Sequence, residues 1–361
     1  MVNRRGVWAS LAAVLVLSAG VIAQQPKGDP KKPDDTQKQE IQAVVTSVDG
    51  VMSGQPAAND LGVAWVHEDF MKAASNKEYV PFVVSIDSAK VAAGTVAFYW
   101  RVAPRSAVFT PPVPPPAPGK NDKNKKDDKN APAAKRPEYV YEDISFVQVA
   151  PGAPIHVSRS VTLPAGDYDV YIAVKEPTPA QKAGAASVGP KTSVIKQALT
   201  VPNFWTADLT TSSVIIAQRI DPLPAPLTPQ QQVDRPYALG GMEIVPVLDT
   251  KMSKKAELST FMLIYNPKVD GANKPDILVE YNFYAKSGGM EKFFNKTAPQ
   301  ALNASTLPPQ FDLAAGHQIQ TGQAVPLASF PEGDYRLEIK VTDKLANKSI
   351  TRDVNFTVTA S

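Results

Sequence analysis

A twelve-residue pattern occurs twice in this chain, and it restricts the fold more than any other feature. Leu163-Pro-Ala-Gly-Asp-Tyr168-Asp-Val-Tyr-Ile-Ala-Val174 matches Phe330-Pro-Glu-Gly-Asp-Tyr335-Arg-Leu-Glu-Ile-Lys-Val341, 167 residues later. Its neighbours recur in the same order. Val96-Ala-Phe98-Tyr-Trp100 pairs with Val279-Glu-Tyr281-Asn-Phe283, and Ala198-Leu-Thr-Val201 with Asn355-Phe-Thr-Val358. In each copy Pro and Gly make a turn, Asp is expected to cap it, and the strand that follows alternates inward and outward. The repeat therefore predicts two copies of one unit, 56–202 and 203–361, joined near Pro202.

The unit reads as all-β. From about Gly62 onward, apolar residues recur with period two between Pro- and Gly-containing turns. The runs are Tyr79–Asp87, Thr95–Val102, Glu138–Val149, Ile155–Leu163, Asp167–Val174 and Ser193–Val201. Short strands with such turn signals predict antiparallel sandwiches. One helix precedes them, over 36–54. Thr36 and Gln39 have capping-box spacing, Ile41, Val44, Val45, Val48 and Met52 form an apolar stripe, and Gly54 suits the stop. The stripe needs a surface to cover, most simply on the domain that follows. Residues 24–35 hold no core former and read as a tether. Residues 111–137, Pro-rich and then Lys/Asp/Asn-rich, read as a disordered insertion between two strands of the first copy. Gly119–Pro137 carries seven basic and three acidic residues, so weak attachment to anionic polymers and a plain solvated loop both fit it.

Tyr168 and Tyr335 each stand just past a corner, after Gly166 and Gly333, where a buried ring can send its hydroxyl back to upstream backbone. This arrangement resembles the tyrosine corner of immunoglobulin-like and fibronectin type III sandwiches. It implies two tandem immunoglobulin-like antiparallel β-sandwiches and carries no function with it. Residues 208–358 also look like the C-terminal β-sandwich of exported acidobacterial proteins of the GWxTD type. The segments concerned are Asp208–Ala217, Pro236–Pro246 and Leu263–Asn266. The signature itself is missing, because Phe204-Trp-Thr-Ala-Asp208 is not Gly-Trp-x-Thr-Asp. That resemblance implies an exported bacterial β-domain and transfers no active residue.

Met1–Ala23 has the layout of a secretory signal: Arg4 and Arg5, an apolar run from Val7, and Val21-Ile-Ala23 before a cut at Gln24. Kept uncleaved, the run would be a short membrane anchor. No later segment is apolar enough to span, so cleavage leaves no membrane segment and a periplasmic or extracellular protein. Export of a chain with no cysteine points to a bacterial envelope. Removing Arg4 and Arg5 leaves 36 basic against 35 acidic residues, which makes no electrostatic case for nucleic acid.

The absence of cysteine excludes disulfide scaffolds, thiolate metal sites and thiol catalysis. The three histidines, His67, His156 and His317, lie far apart, and His67-Glu68 has Met71 where a zinc helix needs its second histidine. No nucleophile elbow, phosphate loop or dinucleotide fingerprint occurs, and the carboxylates are scattered singly. No catalytic, cofactor or metal residue is nominated. The reading is a non-catalytic interaction or structural protein of the envelope, whose partner is an envelope protein or a glycan. An alternative is a carbohydrate- or cell-wall-binding protein with Tyr99, Tyr141 and Tyr284 on an outward face. A third is a hydrolase whose site leaves no local motif.

Overall fold

The computed structural model describes residues 35–106, 139–178 and 189–360. The signal, most of the tether and the 111–137 insertion fall outside the described residues. Helix α1 spans Asp35–Met52. Thr36 is therefore inside the first turn rather than capping it, and Asp35 supplies the negative charge that a helix N-terminus favours. Gly54, at φ +90°, follows the end of the helix, a backbone conformation that suits glycine.

Eight strands follow: β1 (Ala64–Glu68), β2 (Met71–Lys72), β3 (Glu78–Ile86), β4 (Gly94–Pro104), β5 (Tyr141–Val149), β6 (Ile155–Leu163), β7 (Gly166–Lys175) and β8 (Thr192–Val201). One sheet runs β5-β4-β7-β8, all antiparallel. In the facing sheet β3 is central, with β6 on one side and β1 and β2 on the other. Period two sends Val80, Phe82 and Val84 of β3 and Phe98, Trp100 and Val102 of β4 into the core between the sheets.

The second half carries β9 (Thr210–Thr211), β10 (Ile215–Pro222), a short helix α2 (Pro229–Gln232), β11 (Ala238–Leu239), β12 (Met242–Pro246), β13 (Lys251–Ser253), β14 (Glu257–Tyr265) and β15 (Ile277–Ser287). Then come β16 (Met290–Lys296), β17 (Gln300–Leu302), β18 (Ile319–Thr321), β19 (Ala324–Pro326), β20 (Gly333–Asp343) and β21 (Lys348–Thr359). The strand plan of the first half returns. The order β16-β15-β20-β21 reproduces β5-β4-β7-β8, and β14 takes the place of β3. β9 and β10 flank β14 on one side and β18 and β19 on the other, as β1, β2 and β6 flank β3. The fold is thus all-β, two immunoglobulin-like sandwiches in tandem with an N-terminal helix.

The repeated motif holds residue by residue. Gly166 pairs with Val201 and Tyr168 with Leu199, just as Gly333 pairs with Val358 and Tyr335 with Phe356. Both glycines have positive φ, +153° and +144°. The Tyr168 hydroxyl donates to the Pro164 carbonyl at 3.0 Å, and Tyr335 to Pro331 at 2.8 Å. The expected Asp cap takes another form. Asp167 and Asp334 already belong to the ladder, so each accepts a hydrogen bond from the threonine opposite, Thr200 and Thr357, at 2.6 Å.

Candidate functional site

Three surfaces of the sandwiches are available in principle: the outer sheet faces, the sheet edges and the junction between the two halves. The outer face of the β4/β7 sheet is occupied. Val44, Val45 and Val48 of α1 pack on Ala97, Tyr99, Tyr171, Ala173 and Val194. Charges lock both ends of the helix. Glu40 pairs with Lys175 and accepts from Thr178 at 2.8 Å, while Asp49 takes a bond from the fully buried Arg101 at 2.6 Å. Burial raises the Glu40 carboxyl, and Lys175 and Thr178 more than offset that, leaving it below its ordinary value.

Tyr99 does point away from the sandwich core, but α1 covers it to 3% exposure. Its hydroxyl donates to Glu142 and accepts from Arg101. Tyr141 faces the opposite way, its ring 4.4 Å from Trp100 at the rim of the core; burial pushes its hydroxyl up to about 12. Tyr284 lies in the other sandwich. The structure does not assemble these three into one ligand face.

Around Tyr284 no element of the described residues covers the outer face of the second sandwich, and its chemistry is different. Phe293 of β16 meets the Tyr284 ring edge-on at 5.9 Å, and the Arg336 guanidinium lies 4.5 Å from the same ring. Arg336 is held by Glu291 at 2.9 Å, Asp353 at 2.7 Å and Glu338 at 3.2 Å. The Arg336 hydrogen bond keeps the Glu291 carboxyl below its usual range. Lys286 donates to Asn355 at 2.7 Å.

The edges are unequal. Ala58 and Asp60 bond to β8, and β13 pairs in parallel with β21, so one edge of each core sheet is covered. The opposite edges are β5 and β16, which occupy equivalent places in the two copies. Five large apolar side chains are exposed among the described residues: Val140, Phe146, Trp205, Met290 and Phe293. Four of them lie on or beside these two strands. A bulge interrupts β16 where Phe283 gives way to Tyr284 in its partner, turning Phe294 inward onto Phe330 while Phe293 stays out.

The junction has a core of its own. Met71 and Val83 of the first sandwich pack with Phe204, Ile215, Tyr237, Ile244, Phe261, Leu263 and Tyr265. Polar links cross it: the Tyr237 hydroxyl to Asp69 at 2.9 Å, a carboxylate also held by His67 of its own sandwich at 2.8 Å, and the Phe204 N–H to Glu78 at 2.9 Å. Burial raises the Glu78 carboxyl above its ordinary value. His67 and Glu68 sit on a strand, not on a metal-binding helix. Period-two reading missed this junction, although a signal was present. β3 (Tyr79-Val-Pro-Phe-Val-Val84) and β14 (Phe261-Met-Leu-Ile-Tyr265) carry unbroken apolar runs, the mark of strands covered on both faces.

The clefts described are small. One of about 300 Å³ is lined by Leu209, Asn266, Lys268 and Asp343, another of about 320 Å³ by Asp270, Asp276 and Asn303. Among the described residues no three His, Asp or Glu side chains group as a metal site, and no helix is long and apolar enough to cross a membrane.

No protein-family model matches the chain, and no curated protein does. Solved structures similar to it include Escherichia coli α2-macroglobulin activated by porcine elastase, at 14% identity over 84% of this chain, TM-score 0.22. The native conformation of the E. coli protein follows at 12% over 85%, TM-score 0.20, and a Salmonella α2-macroglobulin mutant at 13% over 84%, TM-score 0.18. This chain spans 22%, 16% and 17% of those chains, respectively.

Proposed function

We propose that the protein is an exported, non-catalytic interaction module of a bacterial envelope, and that it engages its partner along an open sheet edge, with β16 the principal one. The observation that carries this reading is the concentration of exposed apolar side chains on the two equivalent edge strands. An uncovered edge offers backbone donors and acceptors to an added strand, while neighbouring side chains select it. Met290 and Phe293, 75% and 51% exposed, would supply the apolar contact. The ionic lattice around Arg336 would hold Tyr284 and Phe293 in place. Export rests on the signal-like Met1–Ala23.

The test is a photo-crosslinking phenylalanine analogue at position 293 in the native envelope, with position 255 on an exposed turn as control. A discrete protein adduct at 293 and none at 255 is the expected result. No adduct at 293, or the same products at both positions, would overturn the reading. Saccharide binding is a second reading, favoured by the exposed Phe293 ring beside Glu291, Lys286 and Asn355. Adducts to glycan alone would select it.

A further inference from the structure

Resting on the edge-strand reading, we propose that the occupant of β16 is a second copy of this chain, β16 of one copy pairing antiparallel with β5 of the next. The two edges complement each other in charge. Lys292 and Lys296 of β16 are exposed and make no ion pair among the described residues, while Glu291 is taken up by Arg336. The β5 side has carboxylates in excess. Arg101 faces both Asp49 and Glu142, and Arg159 faces Asp234 with Asp143 close by. Pairing β16 with another β16 would instead bring the free lysines of both strands together.

Shape agrees with charge. Setting Phe293 opposite Phe146 joins two exposed aromatic rings on the outer face. In that register Glu291 lies opposite Gln148. The bulge in β16 brings Lys296 onto the same face, where it is opposite Ile144 and reaches Glu142 on the diagonal. Each copy carries one β5 and one β16, in different sandwiches. The contact is therefore heterologous and propagates into open strings unless the geometry closes a ring.

Sedimentation velocity on the mature chain tests this. Average mass should rise with concentration and fall when salt screens the lysine–carboxylate contacts. Phe293→Asp blocks β16 and Phe146→Asp blocks β5, both at exposed positions, with thermal melts to check folding. Each variant alone should be monomeric, and an equimolar mixture should form dimers and nothing larger, because it offers one open edge of each kind. A wild type that stays monomeric at hundreds of micromolar would overturn the proposal, as would a Phe146→Asp variant that still self-associates. If the wild type is monomeric but position 293 still captures a different protein in the envelope, self-pairing fails and the edge reading stands. If it captures nothing, both fail.

Discussion

His67 and Asp69 show how much one buried carboxylate can ask of its neighbours. Asp69 is almost fully buried at the junction, and one of its oxygens accepts from both His67 and Tyr237. Burial alone would push the imidazole down. The Asp69 carboxylate, with Glu68 on the same strand, outweighs that and raises His67 above its ordinary 6.5. A folded-state value above the unfolded one means that protonated His67 favours the native state. That contribution is complete below about pH 6.5 and disappears as pH rises through the raised value. Thermal midpoints measured from pH 5 to 9 should therefore decline through and above neutrality in the wild type. His67→Gln should lack that part of the decline. Parallel profiles for the two proteins would show that the histidine charge contributes nothing. The other two histidines make good controls, since neither faces Asp69.

The helix and the sheet it covers illustrate what alternation can and cannot say. Phe98, Tyr99 and Trp100 alternate as their spacing predicts, and Ile155–Leu163 forms a strand with those same ends. Period two specifies the side of the sheet on which a residue lies. It does not specify what arrives from elsewhere in the chain to cover that side, so Tyr99 looked like an exposed platform and is a floor for Val44 and Val48. The paired face in the second copy has Glu280, Asn282 and Tyr284 on β15 where β4 has Ala97, Tyr99 and Arg101, and no helix of the described residues lies on it. Composition of the face thus decides whether a helix can dock. At the ends of α1, energy depends on burial. The Asp35–Lys38 pair is exposed, 93% and 59%, and its removal should change stability by no more than about 0.5 kcal/mol. Glu40→Ala would leave Lys175 buried without a counter-charge and should cost about 3–5 kcal/mol. Urea melts of the two variants side by side measure the contrast. Equal small losses would mean that water reaches Lys175 freely.

At the scale of the whole molecule the duplication was readable and the docking of the two copies was not. A twelve-residue repeat with matching flanks specifies two like sandwiches, since each residue of the motif has one local role, whether turn, positive φ, corner hydroxyl or inward apolar side chain. Docking depends on residues far apart in the chain, such as Met71, Phe204 and Tyr237, whose shared surface exists only once both sandwiches are folded. The unbroken apolar runs of β3 and β14 announce that something covers their outer faces without saying what. The result is a junction with its own apolar core and several buried polar links, so the two sandwiches should lose structure together. Calorimetry on the wild type should give one transition, as expected when neither half can open without exposing the junction. Phe204 is the residue that tests this most directly. It belongs to the connection between the halves, its ring lies 5.3 Å from Tyr265, and its N–H is bonded across to Glu78. Phe204→Ala should cost about 3–5 kcal/mol of coupled stability and separate the single transition into two. Two transitions already present in the wild type, and unmoved by the substitution, would mean that the halves are joined by the chain alone.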